Sequence, residues 1–135
     1  MNVLLVSGQE QDGPNLESIL EGTPWRVMAA GNLAQAEQIL RDLDPPIVLC
    51  DRDLLGSSWQ ENVRSLAAAR RGACVILLSN VSDQYLWDEV VQRGGFDVLT
   101  RPFEKQPVLS MLIFAYTHCR TSWPIAPRGR VGVKL

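Results

Sequence analysis

The sequence predicts an α/β protein, a doubly wound (βα)5 sandwich built on one parallel sheet. Three observations carry this. Short apolar runs alternate five times with stretches of helical periodicity. The runs within 2–6, 47–51 and 73–79 are continuously apolar apart from Asn2, Asp51 and Ser79 at their ends, as expected of strands covered on both faces. The 135 residues, 46% hydrophobic and 21% charged, suffice for one domain with one sizeable core. Strict alternation then calls for parallel strands joined by right-handed crossovers, with helices on both sides.

Taken in order, "NVLLV" (2–6) reads as a strand, and Leu16, Ile19 and Leu20 give one apolar face to a helix over about 14–22. "WRVMAA" (25–30) is a second, less apolar strand. Leu33, Ala36, Leu40 and Leu43 recur at helical spacing, with Asn32 as N-cap, and Pro45-Pro46 end that helix. Strand 47–51 follows. Trp59, Val63, Leu66, Ala67 and Arg70 lie along the next helix, capped by Ser57 or Ser58 and stopped by Gly72. "ACVILLS" (73–79) is the most apolar strand. Ser82 or Asp83 caps a helix of 82–94 that Gly94-Gly95 stops, "FDVLT" (96–100) is the fifth strand, and Leu109, Leu112, Ile113 and Tyr116 stripe a helix of 104–120. Five such units imply the flavodoxin-like sheet order 2-1-3-4-5. The domain spans 1–119. Residues 120–135, with two prolines, two glycines and four cations, read as a tail or linker.

Composition excludes several function classes. A net charge of −2 gives no general attraction to nucleic acid, and direct binding to it is not expected. No apolar run approaches the roughly 18 residues of a membrane helix. The first residues lack the pattern of a secretory signal, so a cytoplasmic protein is expected. Cys50, Cys74 and Cys119 are far apart and only His118 accompanies them, so no zinc site is expected. Cys50 and Cys74 read as small buried hydrophobes.

Chemistry in such a sheet gathers beyond the carboxyl ends of its strands. Those ends deliver Ser7, Gly8, Gln9 and Glu10, then Asp51 and Asp53, then Ser79 and Asn80, then Thr100, Arg101 and Pro102. A carboxylate, a hydroxyl and a cation from three strands suit a phosphoryl group: the first attacks, the others hold oxygens. "GQEQDG" (8–13) has P-loop glycine spacing, but Pro14 follows where lysine is required and its acids repel phosphate.

On these residues the chain resembles the receiver domain of bacterial two-component response regulators over about residues 1–118. "IVLCDRDLLG" is similar to the family's phospho-acceptor segment, with Asp51 as acceptor. Ser79, 28 residues on, stands at the family's Ser/Thr position; 22 further on, "LTRPF" stands at its Lys-Pro segment, with Arg101 for the lysine. The resemblance implies a cis Arg101–Pro102 turn. It also marks departures. The acid pair that holds Mg²⁺ is replaced by Ser7 and Gly8, the aromatic switch residue by Val98, and the proline four after the acceptor by Leu55. Asp51 with Asp53 is the remaining carboxylate set for a metal, and a poor one, since Mg²⁺ depends on carboxylate oxygens in near-octahedral array. Arg101 is expected to pair bidentately with Asp51 instead.

The leading functional reading is therefore a degenerate, pseudo-receiver domain. It is non-enzymatic, without a cofactor, and acts through protein contacts with weak or absent Mg²⁺-dependent phosphorylation. The resemblance implies a histidine kinase, an effector or a second copy as partner, on the face made by helix 82–94, strand 96–100 and helix 104–120, where Trp87 widens the apolar arc. The alternative is a working receiver phosphorylated on Asp51 by a histidine kinase. A flavodoxin-like cofactor binder is a third reading, opposed by the poor phosphate loop "SGQEQDGP" and by Trp59 being the only aromatic that follows strand three closely.

Overall fold

The computed structural model describes residues 1–69 and 73–122. β1 (Asn2–Val6), β2 (Arg26–Ala30), β3 (Ile47–Asp51), β4 (Cys74–Ser79) and β5 (Asp97–Thr100) form one parallel sheet in the order β2-β1-β3-β4-β5. Between them run α1 (Asp12–Leu20), α2 (Leu33–Leu43), α3 (Trp59–Ala69) and α4 (Gln84–Gln92), and α5 (Lys105–Ser122) follows β5. This is the flavodoxin-like (βα)5 arrangement. The predicted stop at Gly72 and the predicted tail beyond residue 122 lie outside the described residues.

Alternation along each strand divides the core in two. Leu4, Val6, Val48, Cys50, Val75, Leu77 and Val98 face α2, α3 and α4, meeting Leu40, Val63, Leu66 and Val90. Val3, Leu5, Ile47, Leu49, Ile76, Leu78 and Leu99 face α1 and α5, meeting Leu16, Leu20, Val108 and Leu112. Trp25 joins this second layer at 5% exposure and meets Tyr116 edge-on, ring centroids 5.7 Å apart.

Helix starts follow side-chain chemistry. Asn32 Oδ1 accepts from the Gln35 N–H (2.9 Å), Ser58 Oγ from the Glu61 N–H (3.2 Å), and Asp83 Oδ1 from the Leu86 N–H (2.8 Å). α1 differs from expectation. It begins at Asp12, two residues before the predicted start, because Pro14 is only its third residue, where a helix has no use for the missing N–H. Asp12 thus leaves the loop and becomes helical.

α4 ends at a close approach. A Cβ on Gly95 would lie 2.6 Å from Val90 Cγ1 and 3.0 Å from the Val90 carbonyl oxygen. Gly95→Ala is expected to cost about 1–3 kcal/mol, read as a lower urea midpoint with an unchanged slope. A wild-type midpoint would show that this turn yields freely.

The cysteines divide differently from the sequence expectation. Cys50 is a buried thiol, and burial, then the Asp51 carboxylate, push its pKa up to about 12. Cys74 is buried too, but it is not a mere hydrophobe. It is disulfide-paired with Cys119 of α5, Cα atoms 6.0 Å apart, a separation that suits a bridge. Spacing in sequence conceals the pair because β4 and α5 meet only in the folded layer.

Candidate functional site at the carboxyl end of the sheet

Strand register sets the site. Val6 of β1 pairs with Cys50, Asp51 of β3 with Leu78, and Ser79 of β4 with Thr100. The residues that leave these strands therefore sit at one level, around an Asp51 that is 1% exposed.

Arg101 organises the group. Its Nη2 donates to Asp51 Oδ1 (3.0 Å) and to Asp12 Oδ2 (2.6 Å), and its Nε donates to Asp12 Oδ1 (3.0 Å). The expected contact with Asp51 is made, but by one nitrogen. The bidentate pair goes to Asp12, whose carboxylate on the first turn of α1 presents both oxygens to the guanidinium. Nη1 reaches Asn80 Oδ1 at 3.3 Å, and the guanidinium lies 5.7 Å from the centre of the Phe103 ring. The Arg101–Pro102 bond is cis. Hydrogen bonding to Asp12, then to Asp51, raises the Arg101 pKa, while burial acts against it. On the alkaline side the pairing is therefore lost only as pH rises above the ordinary arginine range.

The remaining donors are local. Ser7 Oγ donates to Asp12 Oδ2 (2.7 Å) and accepts the Gln9 N–H (3.0 Å). Gln9 Nε2 reaches both Asp51 oxygens, at 3.3 and 3.2 Å, and the Asp53 N–H donates to Asp51 Oδ1 (3.2 Å). Ser79 is 1% exposed; its Oγ accepts from the Val81 N–H (3.2 Å) and from Arg52 Nη1 (3.4 Å). It is turned to its own loop rather than to Asp51. Val98 is 8% exposed within the α2–α3–α4 layer.

The same fold occurs in known proteins. No protein-family model matches the chain. A receiver domain of an HD domain-containing protein from Pseudomonas fluorescens superposes with a TM-score of 0.80 over 93% of each chain, at 22% identity. A response regulator from Thermotoga maritima gives 0.78 at 22% identity, covering 86% of this chain and 97% of its own. The chain has the receiver fold. The beryllofluoride-activated NtrC4 receiver domain, solved as a dimer, matches it with a TM-score of 0.78 at 19% identity, over 87% of this chain and 98% of that one. Among curated proteins, the transcriptional regulatory protein ZraR of Klebsiella oxytoca is 25% identical over 138 residues, covering 98% of this chain. The chain spans only 31% of that relative's length. No described helix is long and apolar enough to cross a membrane.

A receiver fold implies Mg²⁺ beside the acceptor, so the donors here bear on it. Gly8 offers no side chain, and Ser7 spends its hydroxyl on Asp12. Asp53 is exposed and touches Asp51 through its N–H alone. The described residues contain no group of three His, Cys, Asp or Glu side chains able to hold a metal. The two converging carboxylates, Asp12 and Asp51, already hold the chain's own cation. As arranged, these residues do not fit a divalent ion. In the sequence Asp12 reads only as a loop acid that repels phosphate, and its role here is not visible. The available signal was Ser7: a hydroxyl at a vacated acid position, five residues before an acid at a helix start.

Proposed function

We propose that the chain is the receiver-type domain of a two-component response regulator, acting through protein contacts with weak or absent Mg²⁺-dependent phosphorylation of Asp51. One observation carries the reading: the acceptor carboxylate is bound to Arg101, while the strand beside it is followed by Ser7 and Gly8 rather than by acids. Neutralising charge in phosphoryl transfer requires a metal held by such acids. We read the domain as non-enzymatic and cofactor-free, cytoplasmic, and without direct affinity for nucleic acid.

The face for a partner is the one around α4, β5 and α5. Trp87 is 38%, Ile113 58% and Phe114 52% exposed. Phe114 packs on Phe96 and His118, with centroids 5.7 and 4.0 Å away, so the patch runs from α5 onto the start of β5. There burial raises the Asp97 pKa, while the Val98 N–H and the nearby Trp87 side chain act to lower it. A histidine kinase, an effector or a second copy would use this apolar surface.

The test is modification with Mg²⁺ and acetyl phosphate, or beryllofluoride, at millimolar concentration. Intact mass and the amide resonances near residues 51, 79 and 101 should stay unchanged. Saturable modification that disappears in Asp51→Asn would establish the working receiver instead.

A further inference from the structure

We propose that Arg101 is the resident cation of this site. Its guanidinium occupies the place between carboxylates that a divalent ion would otherwise take, and Asp12 supplies the acid that β1 lacks. Asp12 and Asp51 form a latent divalent-cation site that the wild-type chain keeps closed. The inference deepens the reading of a phosphorylation-poor receiver, but it concerns only cation occupancy and is testable without any phosphoryl donor.

Convergence is the first argument. One atom, Nη2, lies 2.6 Å from Asp12 Oδ2 and 3.0 Å from Asp51 Oδ1. These carboxylates come from different elements, α1 and β3, and their side chains are 4% and 1% exposed. Two acids so deeply buried and aimed at one point require positive charge between them. Such a point is where a hard cation would sit if the nitrogen were absent, because carboxylate oxygens are the ligands that hard divalent ions prefer.

Orientation is the second. Asp12 is not a stray surface acid. Ser7 Oγ, at 2.7 Å, fixes the same oxygen that Nη2 contacts, and the helix start favours its negative charge. Ser7 thus retains a role at the position it occupies: it aims an acid from the helix in place of one from the strand. Asp12 is a positioning residue for Arg101, and Arg101 in turn joins α1, β3 and the loop after β5.

Occupancy is the third. Asp12 Oδ1 receives Nε, and Oδ2 receives both Nη2 and Ser7 Oγ. Asp51 Oδ1 receives Nη2, Gln9 Nε2 and the Asp53 N–H, and Oδ2 receives Gln9 Nε2. An incoming ion would have to displace a guanidinium held by three charge-assisted bonds to carboxylate oxygens, the strong kind of hydrogen bond. Taking Arg101 away removes those three contacts at once and leaves the acids facing each other.

The experiment is a titration of the full chain with Mn²⁺, read by calorimetry and by paramagnetic broadening of the amides of residues 9–13 and 51–53, with Mg²⁺ as competitor. Wild type should show no saturable binding up to millimolar Mn²⁺. Arg101→Ala should bind at least tenfold more tightly than wild type, with Mg²⁺ competing, and Asp12→Asn in the Arg101→Ala background should abolish the gain. Wild-type broadening at these amides at micromolar Mn²⁺ would overturn the proposal, as would an Arg101→Ala protein that binds no better than wild type. Arg101→Gln, which keeps part of the aliphatic stem and a polar end without the charge, serves if the alanine variant does not fold. A further readout on wild type is the Arg101 Nε–H resonance. It should be protected from exchange, unchanged by 10-fold excess Mg²⁺, and shifted in Asp12→Asn; an exposed, rapidly exchanging Nε–H overturns the bridge itself. Phosphoryl-donor assays stay a separate outcome, since a chain could fail to bind Mn²⁺ and still be modified, or the reverse.

Discussion

Arg101→Ala is expected to destabilise the domain by about 3–5 kcal/mol, the range for stripping one partner from a buried ion pair. The guanidinium faces two carboxylates whose side chains are 4% and 1% exposed, and its own side chain is 12% exposed. Alanine leaves both acids charged, buried and close together. The cost is therefore desolvation and mutual repulsion rather than a lost surface contact, whose worth would be under about 1 kcal/mol. The sign is testable by rescue. Asp12→Asn in the Arg101→Ala background removes one stranded charge, so the double variant should be more stable than Arg101→Ala alone. Urea melts of the wild type, the two single variants and the double variant close the cycle. Additive losses would show that Arg101 and Asp12 do not act on each other. A wild-type midpoint for Arg101→Ala would show the bridge to have no structural weight. Divalent ion at high concentration should restore part of the loss in Arg101→Ala, by mass action on the opened carboxylates.

Much of this architecture is legible in the chain, for stated reasons. β3 and β4 announce themselves because buried parallel strands carry no polar face, and α2 because Leu33, Ala36 and Leu40 repeat at helical spacing behind an Asn32 cap that makes its predicted bond. The sheet order follows from alternation and handedness, which restrict five such units to few topologies. The level at which Asp51, Ser79 and Arg101 leave their strands follows too. Orientation is what escapes. Ser79 and Arg101 stand at adjacent strand ends, yet Ser79 Oγ turns to Val81 and Arg52 while Arg101 turns inward. That choice depends on side-chain torsions and on which acid is within reach. Asp12 escapes for a local reason. Pro14 looks like a helix start, and placing the start there leaves Asp12 in a loop. The chain instead uses the tolerance of a helix's first turn for proline and gains two residues of α1. Cys74 and Cys119 escape because their approach is tertiary, across 45 residues.

That pair carries the other large effect. Closing a loop between residues 45 apart removes about 4 kcal/mol of denatured-state freedom in the chain-entropy picture. Cys119→Ser, or reduction of the wild type, is expected to lower the melting temperature by on the order of 10 °C. The two perturbations should agree, because both release the same constraint. The native site need not collapse when the bridge opens. Cys74 Sγ lies 3.4 Å from the Ala115 carbonyl oxygen, so a thiol there keeps an acceptor, and Cys74 and Cys119 stay in the α1–α5 layer of the core. A reduced form that is folded but less stable is the outcome this geometry supports. Cys50 serves as the internal control. It is buried, with its pKa pushed up to about 12, so it should react with thiol reagents only on unfolding, in oxidised and reduced protein alike. Oxidised native protein should thus show no reactive thiol and one on denaturation, and reduced protein three on denaturation. Coincident melts before and after reduction, or three titratable thiols in denatured protein prepared without reductant, would show that Cys74 and Cys119 lie side by side without being joined. α5 would then be held by packing, through Val108, Leu112, Ala115 and the Trp25–Tyr116 contact.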